Sequence, residues 1–270
     1  MSQAPSQFIS SRDNAFLKDL RRLSQDSTAY RKQGRFWVEG EHLCGAALAR
    51  GVKPVVAIFS DSFWSAAPTA WTQAANRNIV IADTLFADIG VLDSPASVGF
   101  VFELPAPRVL QSKVASVILD RVQDAGNVGS ILRSASAFGF TQIIALKGTA
   151  ALWSPKVLRA GMGAHWGLHL IEGAQLAQVA NLVVPIIVTS SHQGEYLHQA
   201  QHGKTLPMPC AWALGHEGQG VGVELEALAS LKIRIAQPGG EESLNVAAAA
   251  AICLHASASG WVPPHEVARL

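Results

Sequence analysis

The chain has 270 residues, 49% hydrophobic and 15% charged, with a formal net charge of +1. This composition excludes a disordered chain, and the near-zero charge excludes a global positive field as the mark of a nucleic-acid partner. The length suits one large domain or two ordinary ones.

Residues 12–24 place Phe16, Leu17, Leu20 and Leu23 at helical spacing among charges, which predicts an amphipathic helix. Through Arg35 the basic residues are Arg12, Lys18, Arg21, Arg22, Arg31, Lys32 and Arg35, and the acids are Asp13, Asp19 and Asp26. That local excess reads either as a solvated helix face or as a phosphate grip. Arg35-Phe36-Trp37-Val38-Glu39-Gly40 reads as a strand ending in a turn, and a helix through Leu43, Ala46, Ala47 and Leu48 is stopped by Gly51. Val55–Phe59, Ile79–Ile81 and Val98–Phe102 complete a small α/β unit. Pro105-Ala106-Pro107 punctuates the chain, so the domains are read as 1–106 and 107–270.

The second unit begins with Val117-Ile118-Leu119-Asp120. Its further apolar runs are Ile143–Leu146, Val183–Val188, Trp212–Leu214 and Ile233–Ile235, with helical patterns between them. Short buried strands alternating with helices predict a mostly parallel sheet with helices on both faces. Ligands bind such sheets outside the carboxyl ends of the strands. Three loop segments fall there. The first runs from Asp120 through Asn127 and Gly129 in a loop to Arg133 on a helix. The second is Leu214-Gly215-His216-Glu217-Gly218-Gln219-Gly220. The third is Ile235-Ala236-Gln237-Pro238-Gly239-Gly240 leading to Ser243-Leu244-Asn245-Val246 and an alanine-rich helix. Each also has a plain structural reading: a glycine turn with a surface Arg, a helix-capping Glu217, a tightly packed helix over Ala247–Ala251.

Other signals are weaker. Cys44, Cys210 and Cys253 are far apart with no Cys-x-x-Cys, which fits a reduced, cytoplasmic protein without disulfides or a zinc site. His165 and His169 stand four apart without a third ligand, so no metal is expected. Gly203-Lys204-Thr205 hints at a phosphate loop, but His198 stands where its first glycine belongs. Residues 1–11 lack a signal-peptide pattern, and no apolar run reaches the roughly 18 residues of a membrane span.

Together the three segments resemble the SpoU family of the SPOUT superfamily, S-adenosylmethionine-dependent RNA ribose 2′-O-methyltransferases. The family's Asn-x-Gly-x-x-x-Arg is met by Asn127, Gly129 and Arg133. Its Gly-x-Glu-Gly-x-Gly is met by Gly215, Glu217, Gly218 and Gly220. Its Ile-Pro-Met-x-Gly-x-x-x-Ser-Leu-Asn-Val is met by Ile235, Gly239, Ser243, Leu244, Asn245 and Val246. Ala236 and Gln237 replace Pro and Met, Ala247 stands where Ser is common, and His216 where a small residue is. The resemblance implies a trefoil-knotted catalytic domain, a homodimer and an N-terminal RNA-binding domain. It implies Arg133, Asn127, Ser243, Asn245 and Glu217 at the reaction, and Leu214, Gly215, Ile235, Gly239 and Leu244 around S-adenosylmethionine. A 2′-hydroxyl acceptor requires RNA, with large-subunit ribosomal RNA favoured over transfer RNA. A catalytically inactive RNA-binding homologue is the alternative within the fold. A nicotinamide-dependent dehydrogenase is the alternative outside it, and Gly126-Asn127-Val128-Gly129 lacks the glycine spacing that one needs.

Overall fold

The computed structural model describes residues 5–90, 96–190, 193–239 and 244–260. The chain forms two compact units. One holds the chain through Ala106 together with Trp153–Trp166; the other holds Pro107–Leu152 and everything from Gly167 on.

In the first unit, strands β1 (Ser6–Ile9), β2 (Arg35–Glu39), β3 (Val56–Ser60), β4 (Arg77–Ile81) and β5 (Val98–Glu103) form one sheet in the order β1-β4-β3-β5-β2. β1, β4 and β3 run parallel, whereas β5 is antiparallel to both β3 and β2. Their apolar residues are buried on both faces of the sheet, among them Phe36, Ile58, Phe59, Ile79, Ile81 and Phe100. The helix Ala15–Gln25 starts where the Asn14 side chain accepts the Phe16 N–H, and it buries Leu17, Leu20 and Leu23. The predicted basic set is partly neutralised. Arg12 pairs with Asp88 at 3.1 Å and Lys18 with Asp13 at 3.0 Å, while Arg21 donates to the Arg12 carbonyl. Arg22, Lys32 and Arg35 are exposed and form no ion pair among the described residues.

Segment Trp153–Trp166 joins this unit although it lies far along the chain. The Trp153 ring packs tilted against Phe36 with centroids 4.6 Å apart, and the Trp166 ring tilted against Phe102 at 4.8 Å. Arg159, on the helix Pro155–Gly161, meets the buried Glu39 at 3.2 Å. No sequence signal assigned these residues to the first unit. Their partners are side chains far away in sequence, from Trp166 with Phe102 to Arg159 with Glu39, and periodicity reports only near neighbours.

The second unit carries β6 (Ser116–Leu119), β7 (Gln142–Leu146), β8 (His169–Ala174), β9 (Ile186–Thr189), β10 (Glu195–Tyr196), β11 (Ala211–Leu214) and β12 (Leu231–Arg234) in the order β10-β12-β9-β11-β6-β7-β8. Every pairing is parallel. Helices flank this sheet, as the alternation predicts, and Ile118, Ile144, Val188 and Ala213 sit in its core. Three strands have no counterpart in the sequence reading. β1 is a four-residue edge, β10 has two residues, and β8 contains Gly173 at φ 67° beside a bulge at Ala145/Leu146.

The order places β11 between β6 and β9. The chain leaves β6 towards β7 and β8, returns on the far side as β9, and then fills the gap with β11. This is the topological switch point of the sheet, where loops from neighbouring strand ends diverge and leave a crevice.

Candidate functional site

The carboxyl ends of β6, β11, β9 and β12 lie side by side, so their exit loops share one edge of the sheet. Asp120 follows β6 directly. Its Oδ2 accepts the Gly222 N–H at 2.7 Å, tying the far end of the second motif to β6. Arg121 closes on Asp120 at 3.0 Å and donates to Gln219 at 2.9 Å. It does so at φ 58°, in the left-handed region that non-glycine residues rarely occupy, and these two partners, Asp120 and Gln219, hold it there. Sequence reading did not single out this clamp. A charged Asp-Arg pair at the end of a buried strand was the available signal.

The sequence places Asn127 and Gly129 in a loop; the structure places both in the first turns of the helix Ala125–Ala137. Asp124 is the reason. Its side chain accepts the Asn127 N–H at 2.7 Å, and this cap starts the helix ahead of the two glycines that read as a turn. Val128, Gly129, Ile131, Leu132 and Ala135 face inward, while Gly126, Ser130, Arg133 and Ala137 form the exposed stripe. Arg133 therefore stands in solvent, with no hydrogen bond or ion pair among the described residues. It follows Asn127 by six residues, about 9 Å along the axis, and its Cβ leans back towards that end.

The second motif leaves β11 at the buried Leu214 and Gly215. A Cβ on Gly215 would collide with the backbone of Gly220 and Val221, and Gly220 itself turns at φ 67°. The loop closes through paired backbone bonds between His216 and Gly220, at 3.0 and 2.8 Å. His216 Nδ1 accepts the Gly218 and Gln219 N–H groups at 3.0 and 3.3 Å. The departure to histidine thus supplies an internal brace, and it fixes the ring with Nδ1 unprotonated.

The third motif leaves β12 at the half-buried Ile235, passes an exposed turn at Pro238–Gly239, and resumes at Leu244, which is 40% exposed. Ser243 lies outside the described residues. Asn245 caps the helix Val246–Ser259, its Oδ1 accepting the Ala247 and Ala248 N–H groups at 2.9 and 3.2 Å. That cap fixes the orientation of the amide. With Oδ1 on the helix, Nδ2 faces Asn127 and donates to its Oδ1 at 2.9 Å. Asn127 Nδ2 is then left to donate to Glu217 Oε1, at 3.2 Å. One chain of two amides and a carboxylate thus joins all three motifs.

Glu217 does not cap the helix that follows it; it lies against the start of the Ala125–Ala137 helix. Burial raises its carboxyl, but hydrogen bonds from its own N–H, the Asn127 amide and the Asp124 and Gln123 N–H groups outweigh that, so its pKa lies below the ordinary value. A carboxylate at a helix N-terminus is also favoured by the backbone dipole. Neither asparagine hydrogen-bonds Arg133, so the structure brings together Asn127, Glu217 and Asn245 but leaves the guanidinium on its own exposed stripe. His169 Nε2 meets the Val109 carbonyl at 2.8 Å, and no three His, Cys, Asp or Glu side chains are grouped among the described residues.

Comparison with known proteins identifies the family. Residues 115–255 match the model of the SpoU rRNA Methylase family. The chain is similar to the 23S rRNA (guanosine(2553)-2′-O)-methyltransferase RlmP of Bacillus subtilis, at 26% identity over 92% of this chain and 97% of the relative. It is 30% identical to an uncharacterized tRNA/rRNA methyltransferase of Synechocystis, over 92% of each chain. Among solved structures, the AdoMet-bound rRNA methyltransferase from Sinorhizobium meliloti matches with a TM-score of 0.82 and 25% identity, over 96% of this chain and 99% of that one. The match spans the parallel sheet and all three motif segments, and the chain belongs to the SpoU rRNA methylase family as an S-adenosylmethionine-dependent RNA methyltransferase.

Proposed function

We propose that this protein methylates a ribose 2′-hydroxyl of large-subunit ribosomal RNA, at the edge where β11 and β12 end. The Glu217–Asn127–Asn245 chain carries the reading, because it locks three loops from distant parts of the sequence into one site. The residues suit an adenosyl ligand. Ile235 is a half-buried isoleucine at the exit of β12, the buried Leu214 backs the exit of β11 with β9 between the two strands, Leu244 is an exposed leucine of the same motif as Ile235, and Gln237 Oε1 is a shielded acceptor without a partner among the described residues. Leu214, Gly215, Ile235, Gly239 and Leu244 would hold S-adenosylmethionine, which when bound supplies a methyl group on a cationic sulfur.

The rest is positioning and charge. Arg133 grips the phosphate beside the acceptor ribose through its planar fork, and its fixed positive charge favours oxyanion character on the 2′-oxygen. A guanidinium does not give up its proton at neutral pH, so Arg133 is not the base. The depressed pKa of Glu217 makes that carboxylate a weak base as well; it acts through Asn127 as a positioning residue. Asn127, Asn245 and Ser243 orient the hydroxyl. The first unit grips RNA through Arg22, Lys32 and Arg35. The exposed Ile252 and the half-exposed alanines of the Val246–Ser259 helix support a homodimer, and the insertion of β11 between β6 and β9 supports the trefoil knot. We place the protein in the cytoplasm; no described helix is long and apolar enough to cross a membrane.

The test is tritiated methyl transfer from S-adenosylmethionine to large-subunit rRNA and to tRNA, followed by mapping of 2′-O-methyl positions. Label in rRNA at one ribose, abolished in Arg133→Ala and sharply reduced in Arg133→Lys, is expected. Wild-type rates in Arg133→Lys would refute the guanidinium clamp. Label confined to tRNA would reassign the substrate.

A further inference from the structure

Buried polar atoms in folded proteins nearly always have hydrogen-bond partners, so an orphan calls for an explanation. In the unit that carries the sheet β6–β12, two described side-chain atoms are orphans: Arg234 Nε and Gln237 Oε1. They flank Ile235 at the carboxyl end of β12. Arg234 has an explanation within the protein. Its guanidinium lies 3.9 Å from the centre of the Tyr196 ring, and a cation over an aromatic face is attracted without using each N–H. Gln237 has none. Its Oε1 is closed off from water and accepts from no group among the described residues.

Gln237 also stands where the family motif carries methionine, and a thioether needs no hydrogen bond. The exchange installs a strong acceptor in the loop that would hold the cofactor, and leaves it unsatisfied while the cofactor is absent. A buried acceptor in that state gains from any ligand that brings an N–H.

We propose that Gln237 is a cofactor-specificity residue: Oε1 accepts a hydrogen bond from a nitrogen donor of S-adenosylmethionine, either the α-ammonium or the adenine amino group. The inference rests on the site assignment given under Proposed function. It differs from a packing role in sign. Removing the acceptor relieves an unpaired buried group in the free protein and removes a partner in the bound one.

Calorimetric titration with S-adenosylmethionine and thermal melts of the free protein test this on wild type, Gln237→Met and Gln237→Glu. In Gln237→Met, affinity falls by about five- to tenfold while the melting temperature of the free protein stays level or rises. Gln237→Glu keeps an acceptor and retains affinity within about threefold of wild type. Titration with 5′-methylthioadenosine, which keeps the adenine amino group and lacks the ammonium, identifies the donor. Loss of affinity for it in Gln237→Met assigns the adenine, and unchanged affinity assigns the ammonium. Wild-type affinity for S-adenosylmethionine in Gln237→Met overturns the proposal, as does a fall in the melting temperature of the free variant, which marks a structural glutamine. A wild-type protein that binds no S-adenosylmethionine would overturn the site assignment itself.

Discussion

Asn245 does two jobs with one side chain: Oδ1 caps a helix and Nδ2 orients Asn127. Substitution separates them. Asn245→Asp keeps the cap, since Asp and Asn are equivalent there, but turns the inward donor into an acceptor facing Asn127 Oδ1. We expect the melting temperature to stay near wild type while methyl transfer falls about tenfold or more, the scale of ~1.4 kcal/mol in the barrier. Asn245→Ala should lose the cap too, costing about 1 kcal/mol in denaturant unfolding. Glu217 yields a pH prediction. Its native pKa is depressed, so the unfolded chain takes up a proton at pH values where the native protein does not. The carboxylate's contribution is complete above the ordinary glutamate range and is lost as pH falls through the depressed native value. Melting temperatures of wild type and Glu217→Gln should therefore differ most near neutrality and converge in acid. A gap that widened on acidification would contradict the hydrogen-bonded carboxylate.

Among the elements, the glycine loop after β11 tolerates least. A methyl group at Gly215 meets backbone, which cannot rotate away as a side chain could. Overpacking of this kind costs about 1–3 kcal/mol. Gly215→Ala should weaken S-adenosylmethionine binding about tenfold or more in a calorimetric titration, whereas Gly218→Ala, whose nearest neighbour is the His216 ring at 3.8 Å, should not. Equal behaviour of the two variants would mean that loop closure is not what the site needs. The sequence reading found the strand–loop junctions at Leu214 and Ile235 but misplaced Asn127. Glycines at 126 and 129 suggest a turn, and the deciding contact, Asp124 with the Asn127 N–H, competes with that signal on equal local terms.

For the whole molecule, part of the positive charge near the N-terminus is engaged within the first unit. Of seven basic residues near the N-terminus, Arg12, Lys18 and Arg21 are engaged within the unit, and Arg31 stacks over Tyr30. Reversing Arg22, Lys32 and Arg35 together should lower RNA affinity and reduce the slope of log K against log salt by roughly 2–3, with S-adenosylmethionine affinity unchanged. An unaltered salt slope would move the RNA grip elsewhere. Removing residues 1–106 is the poorer experiment, because it strips Trp153, Trp166 and Arg159 of the partners that bury them.

The amino-acid sequence by itself determined the α/β class, most of the strands and the three motif segments. These depend on alternation, apolar runs and glycine spacing, all of which are written over a few adjacent residues. The tertiary structure alone decided that β11 enters between β6 and β9, that Trp153–Trp166 belongs with the first sheet, and that Asn245, Asn127 and Glu217 share one hydrogen-bonded chain. The polar contacts that tie these groups span 90 to 120 positions, and pairing at that separation is selected by packing and hydrogen-bond geometry that no local pattern encodes.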